Sequence, residues 1–364
     1  MIHLVILALT GSCNLACTYC YASNQAKTFM KKETIDALIS RLVEERNESM
    51  KAPPLTVQLT GGEPLLAFRQ ISYLVRRMEE AGLHASFQLQ TNATLMTPAI
   101  ASFIKKHHIA AGVSLDGVPE VNDLTRPEQG GGGSSLKTLR GIRILAEAGV
   151  EIGVTCVVSR YNAAHLDALV DLCFYMGNVR KIGFNLLRPQ GRGTKEAKAE
   201  AMAAVKGISR AILHARKMET LTGRTMIISQ MEKCGKLEAG YQPFSHCYAW
   251  HDNGMYVDPE GSIYACASLS GQERFRLGNV SGGVEPEKAE ALRRKLETVV
   301  NYCSRCRYLE ECGGACYSRA DEWGAVDETE CAVRKACIHL YEMNHPEKEA
   351  ARGGHSVGIK GDRE

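Results

Sequence analysis

Apolar residues follow two alternating periods through the first half of the chain. Short apolar runs, many of them β-branched, predict six buried strands at 2–9, 55–60, 86–91, 110–115, 152–158 and 181–187. Between them, apolar residues recur every three or four positions and predict helices at 32–46, 68–81, 98–107, 136–148 and 164–176. This alternation predicts an α/β fold whose parallel sheet curls into a full or partial β/α barrel. Ligands then bind where the strands end.

The pattern changes after the sixth strand. Gly191-Arg192-Gly193 closes that strand, and a long helix at about 195–221 is predicted to bridge two domains. Beyond it the periodicity fades and cysteines dominate, while the polar end contains Gly353-Gly354. The predicted organisation is therefore a barrel at 1–193, a helical bridge at 194–233, a cysteine-rich domain at 234–344 and a disordered tail at 345–364.

Composition excludes several classes of protein. The 364 residues are 45% hydrophobic and 23% charged, which is ordinary for a globular protein, and the net charge of +3 is too small to indicate a nucleic-acid partner. The first ten residues are apolar but lack a basic start, and no apolar run approaches the ~18 residues of a membrane span. We expect a cytoplasmic protein without a membrane partner.

Fourteen cysteines are the informative feature, because clustered cysteines in a reducing compartment more often bind metal than form disulfides. Cys156 and Cys173 lie in apolar patterns and are interpreted as core residues. Directly after the first strand, Cys13, Cys17 and Cys20 place three thiols within eight residues. Three thiolates on a 4Fe-4S cluster leave one iron open for a small ligand. A zinc site or incidental cysteines are the alternative.

The spacing C-x3-C-x2-C, with the aromatic Tyr19 before the last cysteine, resembles the signature of the radical S-adenosylmethionine (SAM) superfamily. The resemblance implies a partial (β/α)6 barrel of the radical SAM type. It also implies that the three cysteines hold the catalytic cluster and that SAM chelates its open iron. Reductive cleavage of SAM then yields a 5′-deoxyadenosyl radical that abstracts a substrate hydrogen.

Polar segments that follow the next strands lie where such a site needs them. Glycines allow close approach of the backbone to a ligand, and the resemblance assigns the turn after the second strand to the methionine amino group. The family's SAM contacts map onto Asn92, Ser114 and Asp116, although Asp116 is equally well explained as the brace of a turn. Arg126, Arg140 and Arg143 are candidates for the SAM carboxylate, and the sequence does not choose among them. The turn after the second strand, which the resemblance assigns to the methionine amino group, consists of Gly61, Gly62, Glu63 and Pro64.

Seven cysteines in the last third of the chain resemble the SPASM domain, an auxiliary iron–sulfur extension of radical enzymes that act on peptides. The resemblance divides them into two auxiliary 4Fe-4S clusters, which gives three clusters in all. A hairpin over 256–264 is expected to bring the first two of these cysteines together. A zinc ribbon at Cys303 and Cys306 is the alternative. One cluster would use Cys247, Cys266 and Cys316, and the other Cys303, Cys306, Cys312 and Cys331.

The role of Cys234 is open. Some SPASM members carry an additional cysteine a few residues before the one that corresponds to Cys247, whereas Cys234 lies thirteen residues before it. It either completes the first auxiliary cluster or leaves an open iron there. Tyr241, Tyr248 and Trp250 lie nearby and are interpreted as packing around this cluster, as is His251.

The substrate implied by the SPASM resemblance is a peptide or protein. Sulfatase-maturing members carry a proposed aspartate base just after the cysteine that corresponds to Cys266, where this chain has Ala267. Alanine cannot accept a proton. We therefore expect a maturase that modifies a ribosomally made peptide, for example by a thioether crosslink, with the sulfatase-maturing enzyme as the alternative. A non-catalytic iron–sulfur electron carrier is the alternative from a different class.

Such an enzyme needs a reductant, such as flavodoxin or ferredoxin. Because Cys13 comes so early in the chain, we expect no leader-binding domain before the barrel. Either a separate protein delivers the peptide, or the core domains bind it directly.

Overall fold

The computed structural model describes residues 1–47 and 53–343. In this part of the chain eleven strands form one sheet, and twelve α-helices pack around it. The strands are β1 Leu4–Ala8, β2 Leu55–Thr60, β3 Ala85–Thr91, β4 Ala110–Ser114, β5 Ile152–Val158, β6 Val179–Leu186, β7 Ile227–Ile228, β8 Gly254–Val257, β9 Ser262–Tyr264, β10 Arg276–Asn279 and β11 Gly283–Val284. The helices are α1 Lys32–Asn47, α2 Phe68–Glu80, α3 Pro98–Lys106, α4 Pro119–Thr125, α5 Ser135–Glu147, α6 Leu166–Met176, α7 Ala201–Thr222, α8 Ser229–Glu238, α9 Pro286–Cys303, α10 Leu309–Cys312, α11 Tyr317–Trp323 and α12 Glu328–Glu342.

Strands β1 to β6 lie side by side in chain order and pair in parallel. One face of these strands is apolar and is buried in the hydrophobic core with the helices, as Val5, Leu59 and Val113 illustrate. The opposite face carries polar side chains such as Gln58 and Ser114. Local signals set the helix ends: the Thr97 hydroxyl accepts a hydrogen bond from the Ile100 amide before Pro98 starts α3, and Gly177 ends α6 at a φ of 80°. The predicted α/β fold with a parallel sheet is confirmed.

The cysteine-rich segment continues the same sheet. Strand β8 pairs in parallel with β1, so that Leu4 lies opposite Gly254 and Leu7 opposite Val257. The expected hairpin is present: β8 and β9 are antiparallel, and the Asp258 carboxylate accepts hydrogen bonds from the amides of Glu260 and Ser262. The end of β8 therefore lies beside the end of β1, where the first cysteines follow.

Several predicted boundaries need correction, that of the long helix most of all. The long helix begins at Ala201 instead of 195, because residues 194–199 pack as turns in which Ala197 accepts a hydrogen bond from the Arg160 amide and Lys198 pairs with Asp327. The first strand begins at Leu4, not at residue 2. The predicted tail at 345–364 lies outside the described residues.

Candidate active site

The first three cysteines follow β1 in a loop at 13–20 that neighbouring turns hold in place. The Thr10 carbonyl accepts a hydrogen bond from the Gly62 amide at 2.8 Å, and the Ser12 carbonyl accepts one from the Glu63 amide at 2.9 Å. The Thr10 hydroxyl also accepts from the Ser12 amide at 3.1 Å. The turn after β2 is thus bound directly to the backbone that leads into Cys13.

The three thiols line one cavity of about 370 Å³ at the carboxyl ends of the strands. Burial raises the pKa of Cys13 to about 12, and the nearby Glu63, Cys17 and Cys20 add to the shift. A cationic cluster would reverse this preference, because metal-bound thiols are deprotonated. Ten of the predicted site residues line the cavity: Cys13, Cys17, Tyr19, Cys20, Gly61, Gly62, Glu63, Asn92, Ser114 and Arg126.

The donor set fits an iron–sulfur cluster better than a single ion. Within residues 1–47 and 53–343, no three His, Cys, Asp or Glu side chains converge closely enough to share one metal ion. A zinc site requires such convergence on one atom. A cubane distributes its thiolates over different irons, so the ligands of one cluster stand further apart.

Gly62 fits where a side chain would collide with the cysteine loop. A Cβ atom at this position would lie 2.2 Å from the Ser12 carbonyl oxygen. We expect Gly62→Ala to displace the backbone before Cys13 and to cost about 1–3 kcal/mol of unfolding free energy. The amount of bound iron and the affinity for SAM should also fall in Gly62→Ala. Gly130→Ala is the control, since no atom lies within 4 Å of its added Cβ. Equal iron content in both variants would contradict this role.

Glu63 joins the turn to the end of β3. Its buried carboxylate accepts hydrogen bonds from the Thr91 hydroxyl at 2.6 Å and from the amides of Asn92 and Leu65 at 2.8 and 3.0 Å. Burial raises the pKa of Glu63 despite these three donors. The side chain therefore acts within the protein as a positioning group, while the backbone of the turn faces the cavity.

Asn92 connects the cysteine loop to β3. The Asn92 side-chain nitrogen Nδ2 donates a hydrogen bond to the Asn14 side-chain oxygen at 3.0 Å. The Asn92 side-chain oxygen accepts a hydrogen bond from the Thr94 backbone amide at 2.9 Å. Ser114 lies across the cavity, and its hydroxyl accepts a hydrogen bond from Gln90 Nε2 at 3.0 Å. Both side chains are thus held in one orientation at the cavity wall.

Asp116 acts as a brace beneath the cavity. Its fully buried carboxylate accepts hydrogen bonds from the Tyr19 hydroxyl, from the Thr125 hydroxyl at 2.9 Å and from the Val157 amide at 2.9 Å. It also pairs with Arg126, at 3.0 Å from Nε. Asp116 and Pro64 are absent from the cavity wall. The contacts favour the turn-bracing interpretation of Asp116 over a SAM contact.

Arg126 is the one of the three candidate arginines that reaches the cavity. Its guanidinium lies 5.4 Å from the centre of the Tyr19 ring, with Nη1 4.0 Å from the Cys17 sulfur. Arg140 and Arg143 are exposed on α5. Burial opposes the charge of Arg126, but Asp116 raises its pKa. A fixed cation therefore stands beside the cysteine loop.

Within each of the two predicted sets of later cysteines, neighbouring thiols raise one another's pKa. Burial raises the pKa of Cys247 to about 11, with Cys266 and Cys316 contributing. Likewise, burial raises the pKa of Cys303, and Cys312 and Cys306 add to it. Cys331 is affected in the same way by Cys312 and Cys303. We call Cys247, Cys266 and Cys316 the first auxiliary set, and Cys303, Cys306, Cys312 and Cys331 the second auxiliary set.

Cys234 does not accompany the first auxiliary set. It lines a separate cavity of about 240 Å³, whose wall also includes Cys312 and Cys337. Burial raises the pKa of Cys234 to about 11, with a further contribution from Cys312. The helix α8, which carries Cys234, packs against α10 and α12. This position weighs against Cys234 as the fourth ligand of the first auxiliary set.

Two side chains that sequence analysis missed connect the sites. Arg188 lines the active cavity, and its buried Nε atom has no hydrogen-bond partner among the described residues. The signal available in the sequence was the position of Arg188 just after β6, because ligands bind where the strands of such a sheet end. Glu330 accepts hydrogen bonds from Arg334 at 2.6 Å and from the Cys316 amide at 3.2 Å. Burial opposes its ionisation, but Arg334 and Arg319 lower the pKa of Glu330 to about 2.

The packing expected around the first auxiliary set is partly visible. The Tyr248 hydroxyl accepts a hydrogen bond from the Ala267 amide at 3.2 Å, and the Trp250 ring lies 6.4 Å from that of Phe244. Tyr241 is instead exposed.

Three cysteines, a double-glycine turn and a fixed arginine meet at the strand ends, as the resemblance to SAM-cleaving iron–sulfur enzymes predicts. The Radical SAM superfamily model matches residues 7–173, and the chain belongs to this superfamily. Its members use a 4Fe-4S cluster and SAM, so these are cofactors of this enzyme. None of the helices in the described part of the chain has the length and apolarity of a membrane span.

Individual relatives extend the match into the cysteine-rich part. Uncharacterized protein MJ0907 of Methanocaldococcus jannaschii is 34% identical over 284 residues, which is 77% of this chain and 89% of that protein. The serine-type anaerobic sulfatase-maturating enzyme of Klebsiella aerogenes is 26% identical over 86% of this chain and 79% of its own length. A structure of native anSMEcpe with bound AdoMet and Cp18Cys peptide has a TM-score of 0.76 at 21% identity, covering 96% of this chain and 98% of that one. This last likeness establishes the fold.

Proposed function

We propose that this enzyme modifies a ribosomally made peptide with three 4Fe-4S clusters, using SAM as the source of a 5′-deoxyadenosyl radical. Cys13, Cys17 and Cys20 would hold the cluster that binds SAM, and the two auxiliary sets would hold the others. The observation that carries the proposal is one shared cavity. Its wall contains all three loop cysteines and also Ala267, next to Cys266 of the first auxiliary set.

Different residues around this cavity would bind different parts of SAM and the cluster. The backbone of Gly61 and Gly62 would bind the methionine end of SAM, with Asn92 and Ser114 at the side. Arg126, held by Asp116, would face the SAM carboxylate or the cluster with a fixed positive charge. The apolar side chains Leu15, Val157 and Leu186 line the same cavity and would limit access of water.

The same wall supports a peptide maturase over the sulfatase-maturing alternative. Ala267 stands where the sulfatase-maturing enzymes are expected to carry an aspartate, and Glu63, the carboxylate of the cavity wall, already accepts three hydrogen bonds. Without a free carboxylate base, deprotonation of a substrate side chain would rely on another group. The sulfatase-maturing relatives of similar length keep that reaction as the second candidate.

Mass spectrometry of peptides incubated with the reconstituted enzyme, SAM and reductant tests the proposal. We expect a small peptide encoded beside the gene to lose two hydrogens as a crosslink forms, while a sulfatase-derived peptide stays unmodified. Formylglycine in the sulfatase peptide would instead establish the second candidate. If neither peptide changes while SAM is cleaved, the peptide-maturase assignment fails.

The first auxiliary set is proposed to hold its cluster with three thiolates. We therefore expect Cys234→Ala to keep all of its iron, because Cys234 lines the other cavity. Cys247→Ala should lose about four irons per chain, since one cubane is lost. Iron and sulfide analysis of both anaerobically reconstituted variants measures this. Equal iron loss from the two variants would restore Cys234 as a ligand.

A further inference from the structure

Arg188 is the second arginine in the wall of the active cavity, and the proposed reaction gives it no role. Its side chain lines the cavity together with the three loop cysteines, and its Nε atom is buried. Among the residues that the structure describes, no hydrogen-bond acceptor reaches this Nε atom. Leaving a buried donor without an acceptor costs free energy, so such an atom indicates a place that a ligand fills.

The loop that carries Arg188 is fixed between the two groups of cysteines. Arg192 Nε donates a hydrogen bond to the Cys17 carbonyl at 2.8 Å, which ties the loop to the first cysteines. Gln190 Nε2 donates one to the Ser318 carbonyl at 3.3 Å, in the first turn of α11, which follows the last cysteine of the first auxiliary set. The protein itself therefore places Arg188 between the loop cysteines and the first auxiliary set.

The charges of the cavity wall leave Arg188 in excess. Arg126, the other arginine of the wall, is already paired with Asp116 at 3.0 Å. Glu63, the acidic residue of the wall, accepts three hydrogen bonds from other residues instead. Burial lowers the pKa of Arg188, but two nearby thiols of the first auxiliary set help to raise it on balance. The guanidinium therefore stays charged and favours an anionic ligand.

We propose that Arg188 binds a carboxylate of the peptide substrate and so positions the residue that is modified. This inference rests on the proposed function, because it takes a peptide as an occupant of the cavity. A guanidinium binds a carboxylate through two parallel hydrogen bonds, one of which would supply the acceptor that Nε lacks. The carboxylate belongs to an acidic side chain or to the C-terminus of the peptide.

Anaerobic calorimetry of the SAM-loaded holoenzyme with three tripeptides tests this proposal. Acetyl-Ala-Glu-Ala-amide carries a side-chain carboxylate, acetyl-Ala-Gln-Ala-amide carries none, and acetyl-Ala-Gln-Ala with a free C-terminus carries only the terminal one. At least one of the two acids should bind the wild type about tenfold more tightly than the neutral tripeptide, because the neutral one lacks the charge-assisted hydrogen bonds. The preferred acid identifies which carboxylate of the substrate Arg188 binds.

Replacement of Arg188 assigns this acid preference to its side chain. Arg188→Gln should bind all three tripeptides alike, and Arg188→Lys should keep part of the preference because it keeps the charge. Arg69→Gln removes an exposed arginine of α2 and should retain the full preference. Equal affinity of the wild type for the three tripeptides, or binding of none, would overturn the proposal, as would a preference that persists in Arg188→Gln.

Iron content, the electron paramagnetic resonance (EPR) signals of the clusters and the affinity for SAM distinguish this role from one in cofactor binding. Arg188→Gln should keep the iron, the signals and the affinity for SAM, because it removes no proposed ligand of either cofactor. If this variant loads less iron, Arg188→Lys and the wild-type comparison decide instead. Weaker binding of SAM with an intact acid preference would assign Arg188 to SAM and overturn the proposal. Failure of the maturase proposal is a separate result: SAM is cleaved, but no peptide is modified in the mass-spectrometric experiment.

Discussion

Simultaneous replacement of Cys13, Cys17 and Cys20 by alanine is expected to reduce 5′-deoxyadenosine formation to background. The three thiols share one cavity with the double-glycine turn, and the chain offers the cluster no other ligands in that loop. Loss of this cubane should remove about four irons per chain, while the auxiliary sets keep theirs. Chromatographic detection of 5′-deoxyadenosine and iron analysis measure the two effects together.

Cys173→Ala is the matched control for this experiment. Cys173 is a buried cysteine of α6, and burial alone raises its thiol pKa. Its removal should leave both the iron content and SAM cleavage at wild-type levels. Persistent 5′-deoxyadenosine in the triple variant would mean that SAM is cleaved elsewhere in the protein.

Asp116→Leu is expected to destabilise the protein more than Gly62→Ala does. Asp116 is fully buried and pairs with Arg126, which is also buried. Removing one partner of a buried ion pair leaves an uncompensated charge and costs about 3–5 kcal/mol of unfolding free energy. Tyr19 and the Val157 amide lose their acceptor as well. Anaerobic urea unfolding of the reconstituted variant measures the loss.

The double variant Asp116→Leu/Arg126→Met separates the ion pair from simple packing. Replacing both partners by apolar residues removes the stranded charge, and such replacements are often neutral. We expect the share of the loss that comes from the stranded Arg126 charge to return, while the share from Tyr19 and the Val157 amide remains. SAM binding should stay weak because Arg126 is gone. If the single and double variants unfold at the same urea concentration, the ion pair does not brace this region.

Much of the barrel was predictable because its signals are local. The runs at 55–60 and 152–158 coincide with β2 and β5 residue for residue, since each apolar run is bounded by turn residues. The start of α7 was wrong, because residues 194–199 have helix-forming composition but contact Arg160 and Asp327 instead. Tertiary contacts outweighed propensity there.

Relations between distant segments were harder to predict. The pairing of β8 with β1 brings residues about 250 positions apart into one sheet, and no periodicity in either strand specifies its neighbour. Arg126, Arg140 and Arg143 looked equivalent until α4 and α5 placed only the first at the cavity. Cys234 resembled a displaced ligand in sequence spacing, whereas the packing of α8 places it beside Cys312.

The central claim is a 4Fe-4S cluster in which one iron has no cysteine ligand. EPR spectroscopy observes such a cluster most directly. The protein to measure retains Cys13, Cys17 and Cys20, with the cysteines of both auxiliary sets replaced by alanine, reduced anaerobically before and after addition of SAM. We predict a single 4Fe-4S signal whose g values shift when SAM is added, because the nucleoside binds the uncoordinated iron. Absence of the cluster, or a spectrum that SAM leaves unchanged, would contradict the assignment.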